Sequence, residues 1–392
     1  MRRTIIPRLS LRDPDRSGAS PDPQPSDGLD AGDGAAPTAA AGERLAALEG
    51  LRGYAAFLVF MVHAFGLLAL LLFVIDLDRY SIWSDHDPLR ILLILLSRSH
   101  YGVDLFFVLS GLLMADLAVR RWPGALRFLW RRWLRIYPAY AVSLVAAAAF
   151  LWPDRSYRAA DVLGNVALLQ GMFVLGIRQI NPPTWSLSFE ALFYLAVPFA
   201  AAAWSGGRSA PGRAALTIAF VAIVCAAVWV PVPGGIQFAY FALFVPGIAL
   251  GLLDAPARER LAARVPLAAV LLAWAGFTLA RKLELISIFG PANYLCSALA
   301  SGLLVLKACD SRSLLARALA SRVPRWLGRY SYSFFLVQYI VINPWGMWLA
   351  QRVPASNRAL FATLFLAGSL ALSLATARLL YAVTERFYFQ RR

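Results

Sequence analysis

Leu51-Arg52-Gly53-Tyr54-Ala55-Ala56-Phe57-Leu58-Val59-Phe60-Met61-Val62-His63 opens an apolar run that continues to Ile75. Arg52 is its single charged side chain and His63 its single imidazole. A helix of this length crosses the roughly 30 Å hydrocarbon core of a bilayer. The two polar residues stand 63 − 52 = 11 positions apart. At about 100° and about 1.5 Å per residue they project within roughly 20° of each other, roughly 16 Å apart along the axis. The arginine then lies at a membrane surface and the imidazole near mid-bilayer. Ionisable groups inside hydrocarbon are expensive, so a histidine there marks a functional site, here aligned with a cation able to hold a charged donor.

Composition agrees. The 392 residues are 59% hydrophobic and 15% charged, with a mean hydropathy of +0.61, too apolar for a soluble globular domain. The net charge of +16 comes from arginines in short loops between apolar runs, where they act as topology signals; nucleic-acid binding is excluded on that ground. Lysine is confined to Lys282 and Lys307, a codon preference from which nothing is drawn. Cys225, Cys296 and Cys309 have neither CxxC nor Cys/His spacing, so no disulfide framework and no metal site is expected. Residues 1–44 begin with arginines and turn rich in Pro, Asp, Gly and Ala, which predicts a disordered cytoplasmic tail without a cleavable signal, ahead of a membrane domain over 45–388.

Apolar runs at about 51–75, 102–119, 134–152, 185–204, 214–232, 236–253, 264–281, 287–308, 330–350 and 358–383 predict an all-α bundle of about ten transmembrane helices. The basic connections around Arg120–Arg135, Arg208–Arg213, Arg258–Arg264 and Arg312–Arg329 all fall on the cytoplasmic side, with both termini, if the shorter run at 162–178 does not cross. That run, up to Asn181-Pro182-Pro183-Thr184, is therefore expected to be re-entrant or interfacial. Irregular backbone at membrane depth survives only where protein or water satisfies it, so it should line a cavity. No internal repeat of transporter type and no fused soluble domain is evident.

Candidate chemistry follows from the remaining polar residues. His63 can act as a general base. Arg52 is either a surface anchor or a clamp for phosphate or carboxylate. In His100-Tyr101-Gly102-Val103-Asp104-Leu105-Phe106-Phe107, Asp104 is expected near the outer end of its span, where it orients an imidazole or arginine or is simply wetted from outside; His100 is a weaker candidate base close to the same surface. Arg132 and Arg135, one turn apart, can grip phosphates or bind anionic headgroups. Glu190 follows Trp185-Ser186-Leu187 on a span expected to begin outside, and is read as a salt-bridge partner or as part of acceptor binding. Trp185, Tyr194 and Tyr332 can stack on sugar rings or anchor helix ends. Thr384-Glu385-Arg386 is expected to be an interfacial ion pair without catalytic part.

The Arg52-to-His63 spacing, Gly102-Val103-Asp104-Leu105-Phe106-Phe107, the paired arginines before Ile136 and Pro138, Trp185-Ser186-Leu187 with Glu190 and Phe193-Tyr194, and Gly328 with Ser331-Tyr332 together resemble the acyltransferase 3 family, from about Leu48 to Arg386. The resemblance implies an integral membrane enzyme of about ten helices in the bacterial inner membrane. It would move an acyl group, commonly acetyl, from cytoplasmic acyl-CoA to a hydroxyl, commonly of a cell-surface carbohydrate. No bound cofactor is implied; acyl-CoA is a co-substrate. Position by position, His63 matches the family's essential histidine, Arg52 its partner, and Arg132 and Arg135 the arginines near the acyl-CoA entrance. The histidine that often closes the family's tenth-helix motif is Gln338 here, which speaks against proton transfer at that position. Catalysis is thus assigned to His63, Asp104 and Glu190, acyl-CoA binding to Arg52, Arg132 and Arg135, and acceptor binding to Trp185, Tyr194 and Tyr332. Two other readings stay open: a small secondary metabolite such as a macrolide as acceptor, and transport or lipid flipping without acyl-CoA.

Overall fold

The computed structural model describes residues 39–73, 81–151, 157–205, 239–287, 290–354 and 357–390, and among them it is all helical. Helix α1 (Ala39–Phe73) is followed by α2 (Pro88–Ser97), α3 (Tyr101–Arg120) and α4 (Ala125–Phe150). A short α5 (Ala159–Val166) and irregular chain lead to α6 (Trp185–Ser205). After a 3-10 segment, Ala239–Phe244, come α7 (Val245–Leu252), α8 (Ala255–Arg264), α9 (Leu267–Lys282) and α10 (Pro291–Ala308). The short α11 (Leu314–Leu319) and α12 (Arg322–Arg329) precede α13 (Ser331–Ala350), α14 (Arg358–Val383) and α15 (Glu385–Gln390).

Caps written into the sequence set several of these boundaries. Asp87 accepts hydrogen bonds from the amides of Leu89 and Arg90, with Pro88 pre-set for the first turn of α2. Asp254 caps α8 through Ala257, Ser313 caps α11 through Ala316, and Asn357 caps α14 through Leu360.

Five stretches are long and apolar enough to cross a membrane: Gly42–Phe73, Pro88–Arg120, Ala125–Phe150, Pro182–Trp204 and Arg358–Val383. A sixth arises if Ala239–Leu252 and Ala255–Arg264, bent by 112°, count as one span. The expectation of about ten is therefore met only in part. The runs expected at 264–281, 287–308 and 330–350 are helical as α9, α10 and α13 but fall outside those five, and the one at 214–232 lies outside the described residues. The expected tail lies outside the described residues up to position 38, whereas 39–44 already belong to α1.

The arginine-rich connections around Arg120, Arg258 and Arg325 meet at one end of the bundle; the one at Arg208–Arg213 lies outside the described residues. Buried Asp116 faces Arg120 at 2.7 Å, Arg121 at 3.2 Å and Arg258 at 3.0 Å, and Glu49 faces Arg325 at 3.5 Å. At the far end Arg358 lies 3.9 Å from Asp87, and the Trp83 indole donates to the Leu283 carbonyl at 3.0 Å.

Two passages bring irregular backbone into the middle. The first is the break between α2 and α3. A Cβ on Gly102 would lie 2.5 Å from the Ala55 carbonyl oxygen and 2.9 Å from Leu58, so the start of α3 packs on the middle of α1. Only glycine permits that approach. His100 and Asp104 therefore sit at mid-bundle, which corrects the expectation of an outer-surface position. The reason is α2: its short run, Ile91-Leu92-Leu93-Ile94-Leu95-Leu96, continues the span toward the far end, and Arg98-Ser99-His100 is an internal break. Arg98 is accommodated there by Glu284 at 2.5 Å and by the Lys282 carbonyl at 2.8 Å. Burial works against the Glu284 carboxylate, but hydrogen bonds from Ser81 and Arg98 outweigh it and hold the carboxyl below its usual range.

The second passage is residues 157–184, of which about Val162 to Thr184 is the piece expected to be re-entrant or interfacial. Asn181 donates to the Leu336 carbonyl at 3.0 Å, and Leu336 lies 350 − 336 = 14 residues from the far end of α13, a depth of about 21 Å. Asp161, fully buried, accepts from Arg158 (2.7 and 3.0 Å from its guanidinium) and from Arg178 (2.9 Å from both its backbone amide and its Nε). The Arg158 hydrogen bonds, then those of Arg178, hold its carboxyl well below the usual carboxylate range. Asn165 ties Asp161 and Arg178 carbonyls together and accepts from the Ile180 amide; Gln170 donates to the Thr184 carbonyl; Ser188 accepts from the Gly171 amide. These bonds satisfy backbone and side-chain groups that the irregular chain would otherwise leave open.

Candidate functional site

A half-open cleft enclosing about 780 Å³ of space, part of it at its mouth, lies between α1, α3, α4, α6 and α13. Arg52 reaches it from α1, and Arg132, Arg135 and Ile136 from α4. Ser110, Leu113 and Met114 line it from α3, Ser186, Leu187, Glu190 and Tyr194 from α6, and Tyr332 and Phe335 from α13. Six of the nine residues singled out from sequence thus share one cavity: Arg52, Arg132, Arg135, Glu190, Tyr194 and Tyr332.

The local sequence explains how. On α4 the guanidinium of Arg132 lies over the rings of Phe128 and Tyr194, 5.7 Å from each centroid. Position 128 is one turn before 132, so the stack is built into the helix repeat. On α6, Glu190 and Tyr194 are also one turn apart, and the Tyr194 hydroxyl donates to the Glu190 carboxylate. Ser110 donates to the same carboxylate at 3.0 Å. Tyr332 is anchored by its hydroxyl to the Ile136 carbonyl at 2.8 Å. One carboxylate held by two hydroxyls stands among three guanidinium groups, which leaves the cleft with excess positive charge suited to a polyanion.

His63, Asp104 and Trp185 do not line this cleft. His63 stands about three turns along α1 from Arg52 on the same face. Its ring meets Tyr339 edge-on at 5.2 Å, and its Nδ1 is buried without a hydrogen-bond partner among the described residues. Tyr339 lies one turn beyond Phe335, so α1 and α13 together lead from cleft to imidazole. Gln338, in place of the family's histidine, is fully buried and its Nε2 faces the Phe335 carbonyl at 3.4 Å. Trp185 packs on Tyr240 with ring centroids 4.9 Å apart. Asp104 points away from the cleft and accepts from the Ser297 hydroxyl of α10. Glu385, expected in an interfacial ion pair, is buried and accepts from Ser333.

The expected division into donor-binding arginines and acceptor-binding aromatics is therefore not a division in space, because Glu190, Tyr194 and Tyr332 share the arginines' cavity. Sequence reading missed Arg281, a buried guanidinium of α9 within charge-interaction range of Asp104 and His100. It ends an apolar run and was indistinguishable from an interfacial anchor. The available signal was its side: with the arginine-rich connections at one end, Arg281 and Lys282 fall toward the other, against the usual charge bias.

A family model described as an acyltransferase domain matches residues 45–378. The chain belongs to the acyltransferase 3 family. The matched family domain is carried on a bundle with apolar helices long enough to cross a membrane. Among curated proteins it is similar to acyltransferase MdmB of Streptomyces mycarofaciens, 28% identical over 163 residues. That match covers 40% of this chain and 38% of the relative's length. No solved structure matches it.

Proposed function

We propose that this acyltransferase 3 member moves an acyl group, commonly acetyl, from cytoplasmic acyl-CoA to a hydroxyl of a cell-surface carbohydrate. The observation that carries the proposal is the convergence of Arg52, Arg132 and Arg135, from two helices distant in sequence, on one cleft whose walls lead toward His63. Acyl-CoA is a polyanion that cannot enter lipid, and guanidinium forks bind its phosphates. The arginine-rich end then faces the cytoplasm of a bacterial inner membrane, with both termini on that side and about ten crossings in all.

On this reading the phosphates rest at the arginines while the pantetheine arm follows the α1 and α13 walls to the imidazole. His63 takes the proton of the acceptor hydroxyl; the oxygen attacks the thioester carbonyl; the carbon–sulfur bond breaks. The imidazolium returns the proton to the departing thiolate, so ester and CoA thiol are formed with no net proton change. Glu190, pinned by Tyr194 and Ser110, sets the position of Arg132 at the donor side, and Trp185 stands nearer the acceptor.

The test compares mass spectra of surface glycans from the native host with and without the gene, complemented by wild type or His63→Ala, alongside CoA release by the purified protein. Loss of an acyl mass increment restored by wild type alone supports the proposal. Substantial activity in His63→Ala removes the assigned base, and unchanged glycans with no CoA release overturn the reaction.

A further inference from the structure

Arg281 is 8% exposed, and its guanidinium lies over the Phe277 ring, 5.9 Å from the centroid. The guanidinium makes no hydrogen bond and no ion pair with any described residue. A guanidinium has five donors and no acceptor, and burying it without an oxygen partner is costly. Asp104, the nearest carboxylate in sequence logic, is taken by Ser297 and stays beyond ion-pair distance of Arg281. Yet Asp104, His100, Tyr240 and Tyr294 all lie within charge-interaction range of that guanidinium.

The charges around it do not cancel. Arg98 is paired with Glu284, and the Lys282 ammonium is directed to the neutral Leu95 carbonyl, so Asp104 has only Arg281 as a charge partner and the Lys282 charge is left uncompensated. The centre is also open: His100 is exposed although it stands in the interior break of a span. His100 in turn lies within charge-interaction range of His63. His63 lies about one turn, and His100 two residues, toward the far end from the contact of Gly102 with Leu58 and Val59. An unpartnered guanidinium fork, with the exposed His100 beside it, therefore lies near the imidazole on the side away from the arginine cleft.

We infer that Arg281 is an acceptor-binding residue, that its fork holds an oxyanion, carboxylate or phosphate, carried by the acceptor, and that the natural acceptor is an acidic rather than a neutral saccharide. The inference rests on the acyl-transfer reading for the word acceptor, and on Arg281 alone for the word acidic. A planar guanidinium matches either oxyanion with two parallel hydrogen bonds. Asp104 and the His100 imidazole then face the hydroxyls of the same sugar ring, and the one presented toward His63 is the nucleophile.

The purified full-length protein in detergent is treated with phenylglyoxal, which modifies accessible guanidinium groups, and labelling of Arg281 is followed by peptide mass spectrometry. Glucuronate, glucose 1-phosphate and glucose are compared as protectants at matched ionic strength, and nanodiscs of phosphatidylglycerol are compared with nanodiscs of phosphatidylcholine. The expected result is protection of Arg281 by glucuronate or glucose 1-phosphate at a concentration at least about tenfold below that of glucose, the margin an ionic over a neutral hydrogen bond provides. Equal protection by glucose overturns the inference. Protection by phosphatidylglycerol and by neither acidic sugar also overturns it, assigning the oxyanion to a lipid headgroup. Arg281→Lys, which keeps the charge and loses the fork, is expected to raise KM for an acidic acceptor and leave kcat within about twofold; an unchanged KM counts against the fork. CoA release on neutral glycan with no acidic protection would leave acyl transfer standing and remove this inference. Acidic protection without any CoA release would do the reverse.

Discussion

The two passages of irregular backbone into the bundle answer the same physical demand in opposite ways. In residues 157–184 the side chains of Asp161, Asn165 and Gln170 occupy neighbouring side chains and the backbone, Ser188 of α6 accepts from the Gly171 amide, and Asn181 is tied to α13. Between α2 and α3 the break is secured from above by Arg98, Glu284 and Ser81, but below it His100 is exposed and Arg281 is left without an oxygen partner. A passage whose side chains are spent largely on one another, with the Gln170 and Asn181 side-chain oxygens left without a hydrogen-bond partner among the described residues, is scaffolding; one with a whole guanidinium left over is built around something that comes and goes. The comparison assigns stability to the first and chemistry to the second.

The sharpest test is a double dissociation. His63→Ala, beside the open break, should lower CoA release by about 10²–10⁴-fold, the usual contribution of a positioned base, while the thermal unfolding midpoint stays where it is. Asp161→Asn should do the opposite, lowering the midpoint by several degrees, with activity per folded molecule changed far less. If both variants lose activity and stability together, the comparison fails. Next in size, Gly102→Val forces a side chain against the Ala55 carbonyl and Leu58 and should cost about 1–3 kcal/mol in denaturant unfolding. It should also reduce turnover, because it moves α3 away from His63. Retained stability and turnover would mean that the close contact of α1 and α3 is not what positions the break.

The smallest effect is on pH. Asp161 has a folded-state carboxyl below its ordinary range, so its brace is fully present above the unfolded value of about 4 and weakens only as pH falls through the lower folded value. Between neutrality and about pH 4 the unfolding midpoint of wild type and that of Asp161→Asn should therefore run parallel, converging only in stronger acid. Convergence already at pH 6 would show that another group governs the brace.

The sequence made α1 legible because a helix repeat is a geometric statement: Arg52 and His63 had to share a face, and the structure leads one toward the other. The irregular passage was legible from a run too short to cross, closed by Pro182-Pro183. The depth of Asp104 was not, because Arg98-Ser99-His100 reads as a membrane surface, and only Glu284, 186 residues away from Arg98, makes it an interior break. Glu190 and Tyr194 were found as residues but not as neighbours of the arginines, since no pattern within α6 reports which face meets α4. Arg281 was hidden by resemblance to an anchor at a helix end.

Arg52 and His63 are borne by one uninterrupted helix, and a rigid rod between a grip and a reactive group is a ruler. On the proposed reading, a donor held at its phosphates would present its thioester at a depth fixed in residues, so acyl chain length would be read beyond His63 and pantetheine length before it. Lengthening α1 by a full turn between the two would carry the imidazole about 5 Å past the carbonyl without altering either residue, and a donor with a correspondingly longer arm would become the better substrate.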